Sequence, residues 1–250
     1  MRLADAVVLV TGASSGIGAA TATRMSAAGA RLIVTGRNEE RLRDIAARTR
    51  ATPLAADLAE PGGPELLVEK ALAAEGRVDV LVCNAGAGWA GPIGELPGAK
   101  ASEVVNLNLL APVQLARLLA PGMAERRFGR LVFVSSIAGV TGVRNEALYA
   151  ATKAGLNCLA ESLAYELADT GVGVSLVLPG VVDTPFFSNR GRPYERRSPR
   201  PIPAERAARA IARALSRDLD VVYVPGWLRF PAWLHGAAPL AFRQMMIRFS

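Results

Sequence analysis

The sequence predicts one domain built on a doubly wound parallel α/β sheet of about seven strands, with helices on both faces. Three observations predict it. Short apolar runs alternate with stretches of helical spacing, the pattern of repeated βαβ units. The runs are continuously apolar rather than alternating, so each is buried on both faces, as in a parallel sheet. A glycine-rich turn joins the first run to the first helical stretch. The length of 250 residues and the 51% apolar content suffice for one sizeable core.

The elements follow in order. "AVVLV" (6–10) is the first strand, and 17–30 carries helical spacing with Gly29 as a stop signal. "RLIVTG" (31–36) and 38–50 form the second strand and helix, and "TPLAAD" (52–57) the third strand. Pro64 opens a helix that runs to about Glu75. "VDVLVCNAG" (78–86) is a fourth strand ending in a glycine turn, followed by a long helix over roughly 100–120. "RLVFVSS" (130–136) is the fifth strand, and a helix over 146–169 follows. "VGVSLVLPG" (172–180), a helix over 203–216 and "DVVYV" (220–224) complete the pattern. Residues 1–225 thus form the main domain, and 226–250 an apolar and basic extension of it.

Several function classes recede on composition. The opening stretch is not read as a signal peptide, because its apolar run is short and enters a glycine turn. No run reaches the roughly 18 apolar residues of a membrane span. Cys83 and Cys158 have no metal-ligand spacing and are expected to be small buried thiols. This cysteine usage fits a cytoplasmic protein. His235, the single histidine, has no carboxylate or cysteine pattern around it, so no metal site is expected. The net charge is +7, but the arginines are scattered and no nucleic-acid module is present. A phosphate-bearing cofactor is the more economical anionic partner.

In a doubly wound sheet, ligands bind beyond the carboxyl ends of the strands. The chain's unusual residues collect there. "TGASSGIG" (11–18) offers glycines at 12, 16 and 18 for a tight turn, then a helix N-terminus whose free N–H groups suit a pyrophosphate. Gly12, Ser14, Ser15, Gly16, Ile17 and Gly18 are the candidate residues. "ALYAATKAG" (147–155) puts Tyr149 and Lys153 one helical turn apart on one face. Alone, that pair is an ordinary helix surface; beside a dinucleotide turn it is a phenol and an ammonium near a cofactor.

These motifs resemble the short-chain dehydrogenase/reductases, in their branch of about 250 residues with a Rossmann-type fold. "TGASSGIG" is similar to that family's glycine motif, "NAG" (84–86) to its signature after the fourth strand, "YAATK" to its YxxxK, and "PGVVDT" (179–184) to its PGxxxT. The resemblance runs in order from about residue 5 to residue 224. It implies that Asp57, with Leu58 beside it, meets the adenine, and that Asn84, Ala85 and Gly86 wall the adenosine ribose. Asn84 also reads as a residue tying two strands. Pro179, Gly180, Val182 and Thr184 are implied at the nicotinamide carboxamide.

The end of the second strand bears on the cofactor. Where an acid would bind ribose hydroxyls, the chain reads "TGRN": Gly36, then Arg37. A guanidinium suits a 2′-phosphate, so NADP(H) is expected over NAD(H). Arg37 also reads as the solvated start of the next helix.

The resemblance further implies a catalytic tetrad of Asn108, Ser136, Tyr149 and Lys153. Ser136 is selected over Ser135 by its offset from Tyr149, and Asn108 over Asn106 by the family pattern. Tyr149 is expected to act as general acid and base, its phenolate favoured by the neighbouring Lys153 ammonium. Ser136 is expected to hydrogen-bond the substrate oxygen. Lys153 is implied on the nicotinamide ribose, with Tyr149 beside it, and Asn108 on a water that links Lys153 to solvent. The expected reaction interconverts a carbonyl and a secondary alcohol on a small, apolar substrate. Alternatives are a non-catalytic NADP(H)-binding regulator, an NAD(H) enzyme, or an epimerase or dehydratase with the same YxxxK.

Residues 185–203 are rich in proline and arginine and correspond to the family's substrate lid. Phe186, Phe187 and Tyr194 are candidates to line an apolar pocket, with Trp89 on the opposite wall. Arg190, Arg192, Arg196 and Arg197 have two readings, contact with an anionic substrate or, as the main one, solvation of the loop. The 226–250 segment has three readings: packing over the cleft or a subunit interface, lying on a membrane surface, or extra core. A homodimer or homotetramer through the helices near 100–120 and 146–169 is implied by the resemblance.

Overall fold

A computed structural model describes residues 3–195 and 198–249. Strands β1 (Val7–Thr11), β2 (Arg31–Gly36), β3 (Thr52–Ala55), β4 (Val80–Cys83), β5 (Gly129–Val134), β6 (Val172–Pro179), β7 (Val182–Asp183), β8 (Ile202–Pro203) and β9 (Val221–Val224) occur in chain order. Seven of them form one sheet in the order β3-β2-β1-β4-β5-β6-β9, every pairing parallel. The order reverses at β1, which pairs with β2 on one side and β4 on the other; that switch point opens the cleft. The fold and element order match the sequence expectation.

Helices α1 (Gly16–Ala27), α2 (Glu39–Thr49), α3 (Gly63–Glu75), α4 (Gly98–Val105), α5 (Ala111–Glu125), α6 (Ala138–Thr141), α7 (Ala147–Glu166), α8 (Phe186–Asn189), α9 (Ala204–Arg217), α10 (Arg229–Ala237) and α11 (Pro239–Phe249) surround the sheet. Strand residues alternate between its faces. Leu9, Ile33, Leu81 and Phe133 pack with Leu67, Leu115, Met123 and Leu156 from α3, α5 and α7. Val10, Val34, Val82 and Val132 pack with Met25, Ile45, Ile211 and Leu215 from α1, α2 and α9. Truncating a fully buried side chain such as Phe133 to alanine costs about 3–5 kcal/mol by lost burial and a cavity.

Local chemistry sets the boundaries. Asn38 caps α2 by accepting from the Arg41 N–H at 2.9 Å. Gly29 has φ +81° just past the end of α1, where a side chain would be strained. Pro53 sits on β3, the sheet edge, where a missing N–H is tolerated. Far from the cleft, buried Arg130 ties β5 to β6 and β9: Nε donates to Ser175 Oγ at 3.0 Å, and Nη1 pairs with Asp218 Oδ1 at 2.9 Å.

Three expectations need correction. The helix expected at 100–120 is a continuous helical stretch over 98–125, interrupted by a π-turn at Asn106–Leu110. It is long and apolar enough to cross a membrane by composition, but half of its apolar window is buried inside the fold, against α3, α7 and β5. Cys83 is buried as expected; Cys158 is exposed, because it lies off the α7 stripe of Lys153, Leu156 and Ala160 that meets the core. The 185–203 segment is not a plain loop: α8 forms, and β8 pairs with β7.

Candidate active site

A cavity of about 1090 Å³ opens along the carboxyl ends of the strands. The glycine turn bounds one end; Ser136, Tyr149, Lys153 and the 185–195 segment bound the other.

Between β1 and α1 the chain turns on Gly12 (φ +65°) and Gly16 (φ +54°), conformations that disfavour any side chain. A Cβ at Gly12 would stand 2.8 Å from Ala85 Cα, and one at Gly16 2.9 Å from Thr184 Cγ2. The glycines thus let three loops close on one another. Gly18 is different: its missing Cβ makes room for the Gly12 carbonyl, 2.2 Å from where that Cβ would stand, and it does not line the cavity. Ser14, Ser15, Gly16 and Ile17 do line it. The N-terminus of α1 has no side-chain cap, so its orphan N–H groups remain available to an anion at the cavity wall. That donor set fits a dinucleotide pyrophosphate.

Asn84 serves both readings. Its Nδ2 donates to the Thr11 carbonyl at 2.9 Å and the Gly12 carbonyl at 3.3 Å, tying β4 to the turn. Thr11 Oγ1 accepts the N–H groups of Asn84 and Ala85. Asn84, Ala85 and Gly86 also line the cavity, as do Asp57, Leu58, Pro179, Gly180, Val182 and Thr184. Asp57 Oδ1 accepts from the Ala59 N–H at 2.9 Å, which fixes the turn after β3.

Arg37 reaches the cavity mouth but is not free. Its Nη1 lies 3.3 Å from Glu103 Oε1 and 3.7 Å from Asp57 Oδ2. Lys100 hydrogen-bonds Glu103 at 2.7 Å, and that contact, helped by Arg37, holds the Glu103 carboxyl below its ordinary range. A Cβ at Gly36 would stand 3.1 Å from Ser14 Oγ, so glycine there keeps space beside the turn. Arg41 joins Arg37 on the cavity wall.

The catalytic candidates converge from three elements. Ser136 follows β5 and lines the cavity with Tyr149, and its Oγ accepts the Ala138 N–H at 3.1 Å. Ser135 also borders the cavity, but its Oγ donates to the Lys153 carbonyl at 3.2 Å and fastens α7 to the sheet. Lys153 is 4% exposed; its Nζ donates to the Val134 carbonyl at 2.9 Å and lies 5.9 Å from the Tyr149 ring centre. Burial pulls the Lys153 ammonium down to about 8 and pushes the Tyr149 phenol up to about 12; the Ser136 hydrogen bond opposes the rise. The expectation that Lys153 draws Tyr149 towards phenolate is therefore corrected. The ammonium is engaged by Val134, and desolvation of the phenol outweighs every favourable charge.

Asn108 is fully buried in the π-turn, behind the cavity wall. Its Oδ1 accepts from the Ala87 N–H at 2.8 Å; its Nδ2 donates to the Ala87 carbonyl at 2.9 Å and Thr152 Oγ1 at 3.1 Å. The side chain clamps the 84–90 loop to α7, a positioning arrangement. Asn106, by contrast, reaches only the Ala59 carbonyl. A Cβ at Gly86 would stand 3.3 Å from Asn108 Oδ1 and 3.7 Å from Lys153 Nζ, so both polar groups border that glycine.

The 185–195 segment lies over Tyr149. Phe186 stacks at 5.1 Å from the Tyr149 ring, Phe187 sits 5.5 Å from Phe186, and Tyr194 5.2 Å from Phe187. Phe186 also presses on Gly88, where a Cβ would meet its ring at 2.6 Å. Trp89 does not line the cavity; its ring folds over Gly91. Arg190 overturns the solvation reading: it is 7% exposed, pairs with Glu146 at 2.5 Å, and lies 4.6 Å from the Phe187 ring centre. Arg192 is exposed; Arg196 and Arg197 lie outside the described residues. Glu146 was not singled out from the sequence, although its place three residues before Tyr149 puts it on the same helix face.

This geometry has counterparts in known proteins. A family model described as short chain dehydrogenase matches residues 6–195. The granaticin polyketide synthase putative ketoacyl reductase 1 of Streptomyces violaceoruber is 37% identical over 190 residues, 73% of this chain and 70% of that protein. A short-chain dehydrogenase from Sphingobium yanoikuyae in complex with NADPH superposes with a TM-score of 0.84 at 28% identity, covering 97% of this chain and 95% of the other. The 3-ketoacyl-(acyl-carrier-protein) reductase from Brucella melitensis complexed with NADH gives 0.83 at 26% identity, with 89% and 97% covered. Relatives of both cofactor types support a nicotinamide as the occupant of the glycine-turn cavity. With motif order, sheet topology and family model in agreement over most of its length, the chain belongs to the short-chain dehydrogenase family of oxidoreductases.

Proposed function

We propose that the protein interconverts a carbonyl and a secondary alcohol with NADP(H), on an apolar substrate. The observation that carries this reading is the convergence of Ser136, Tyr149 and Lys153 on one cavity wall, with Lys153 Nζ held by the Val134 carbonyl 5.9 Å from the Tyr149 ring centre.

The glycine turn and α1 N-terminus would hold the pyrophosphate, Arg37 and Arg41 the 2′-phosphate, and Lys153 the nicotinamide ribose. A nicotinamide held there supplies or accepts the hydride. Ser136 holds the substrate oxygen and stabilises charge developing on it. Tyr149, kept protonated by burial, gives its proton to that oxygen in reduction and recovers one through Lys153. Phe186 and Phe187 exclude water and offer an apolar wall. A non-catalytic binder has no need of that convergence. Consumption of NADPH across a panel of ketones and aldehydes tests the reading; inertness towards all of them beside tight NADPH binding would defeat it.

NAD(H) is a second reading, favoured by one observation. Arg37 already pairs with Glu103 and Asp57, and those carboxylates oppose a 2′-phosphate. We favour NADP(H) because Arg37 is more than half exposed and Gly36 removes the acid that ribose recognition uses. Comparing kcat/KM for NADPH and NADH decides between them. Self-association through α4, α5 and α7, which expose Val105, Leu110 and Tyr165, belongs to the same proposal.

A further inference from the structure

The segment after β9 is not used by the chemistry above. A 3-10 turn (Gly226–Leu228), α10 and α11 follow one another, and none of their residues lines the cavity. Leu228, Ala232 and Phe242 are buried, Leu228 against Gly180. The segment is anchored by these and leaves several large apolar side chains exposed. Trp227 is 57% exposed, Phe230 65%, Trp233 64%, Leu240 75% and Ile247 69%.

Spacing gathers these residues into faces. Phe230 and Trp233 are three apart on α10; Leu240 and Ile247 are seven apart on α11. Exposed arginines accompany both faces: Arg229 precedes Phe230, while Arg243 and Arg248 flank the Leu240–Ile247 stripe. None of the three forms an ion pair among the described residues, and no Asp or Glu occurs between 221 and 250.

We propose that α10 and α11 form a surface that docks on an anionic phospholipid bilayer. Aromatic rings suit the headgroup boundary, aliphatic side chains the acyl region, and arginines can lay their stems along apolar surface while meeting lipid phosphates. A second copy of the chain fits worse. A two-fold contact of this surface with itself would face arginine on arginine, with no acid in the segment to answer either. The proposal does not depend on which substrate or cofactor the active site takes.

Flotation of the full-length protein with vesicles of phosphatidylcholine alone, and of phosphatidylcholine mixed with phosphatidylglycerol, tests it. Two variants accompany the wild type: Trp227→Ser/Phe230→Ser/Trp233→Ser, and Arg229→Gln/Arg243→Gln/Arg248→Gln. All six side chains are exposed, so both variants should fold. The expected result is binding to the mixed vesicles only, weakened by salt, and weakened on the order of 100-fold when the three arginines are removed. The aromatic variant should lose binding as well. Absence of wild-type binding to the mixed vesicles would overturn the proposal, as would equal binding by wild type and arginine variant. A change in sedimentation from oligomer to monomer in either variant, without vesicle binding by the wild type, would assign the surface to a second copy instead.

Discussion

Ser136, just past β5, and Tyr149 on α7 share one wall of the cavity, and the serine hydroxyl works against the rise that burial imposes on the phenol. Ser136 Oγ also accepts the Ala138 N–H at 3.1 Å, so a backbone donor fixes the serine that orients the phenol. Removing the serine hydroxyl should leave Tyr149 less well aimed and its phenolate less supported. Ser136→Ala is expected to lower kcat about 100-fold or more, as loss of one oxyanion donor does, with NADPH affinity little changed. Steady-state kinetics and a cofactor titration check both halves.

Arg37 supplies a second prediction. Replacing Arg37 with Ala removes the guanidinium but leaves the glycine turn intact. The kcat/KM for NADPH should fall about tenfold or more, while that for NADH changes little, since a charge-assisted hydrogen bond is worth roughly 1.5–3 kcal/mol. Equal losses with both cofactors would mean that Arg37 acts only through its pairs with Glu103 and Asp57.

The buried lysine makes stability depend on pH. The Lys153 pKa is about 8 in the folded chain against 10.5 when unfolded. Between those values the unfolded chain binds more protons, so raising pH favours the fold. The penalty is fully present below pH 8 and is relieved as pH rises towards 10.5. The stability of the wild type relative to Lys153→Met should therefore improve by about 3 kcal/mol over that window, measured by urea unfolding. Tyr149 and buried Cys83 work in the opposite sense above their unfolded values of 10.0 and 9.0, and both are present in the wild type and in Lys153→Met, so the comparison of the two proteins isolates the lysine.

The Arg190–Glu146 pair fastens the 185–195 segment to the start of α7. Removing one partner of a buried pair leaves the other charge uncompensated. Arg190→Met should loosen the 185–195 segment and speed chymotryptic cleavage after Phe187 about tenfold or more, with a raised KM for substrate. Cleavage at the wild-type rate would show that Phe186 and Phe187 hold the segment without the pair.

The sheet was legible because a strand buried on both faces must be continuously apolar, and Val7–Thr11 or Val80–Cys83 cannot be much else. The glycine turn was legible because Gly12 and Gly16 occupy φ values that side chains avoid. Tyr149, Lys153 and Ser136 could be placed by offset. Their energetics could not, because the burial that lowers Lys153 and raises Tyr149 comes from tertiary contact. Arg190 was misread for the same reason: its partner Glu146 is distant in the chain and the pairing is made by folding. Trp89 reads as a wall residue by its position, but its ring occupies the space that a Cβ at Gly91 would fill.

Tyr149 is the proposed proton donor, and Tyr149→Phe tests that role most directly. The substitution keeps the ring against Phe186 and removes only the hydroxyl. With a substrate found by NADPH consumption, kcat/KM should fall about 10²–10⁴-fold while the Kd for NADPH stays within about threefold. A variant that retains most of its activity would contradict the assignment.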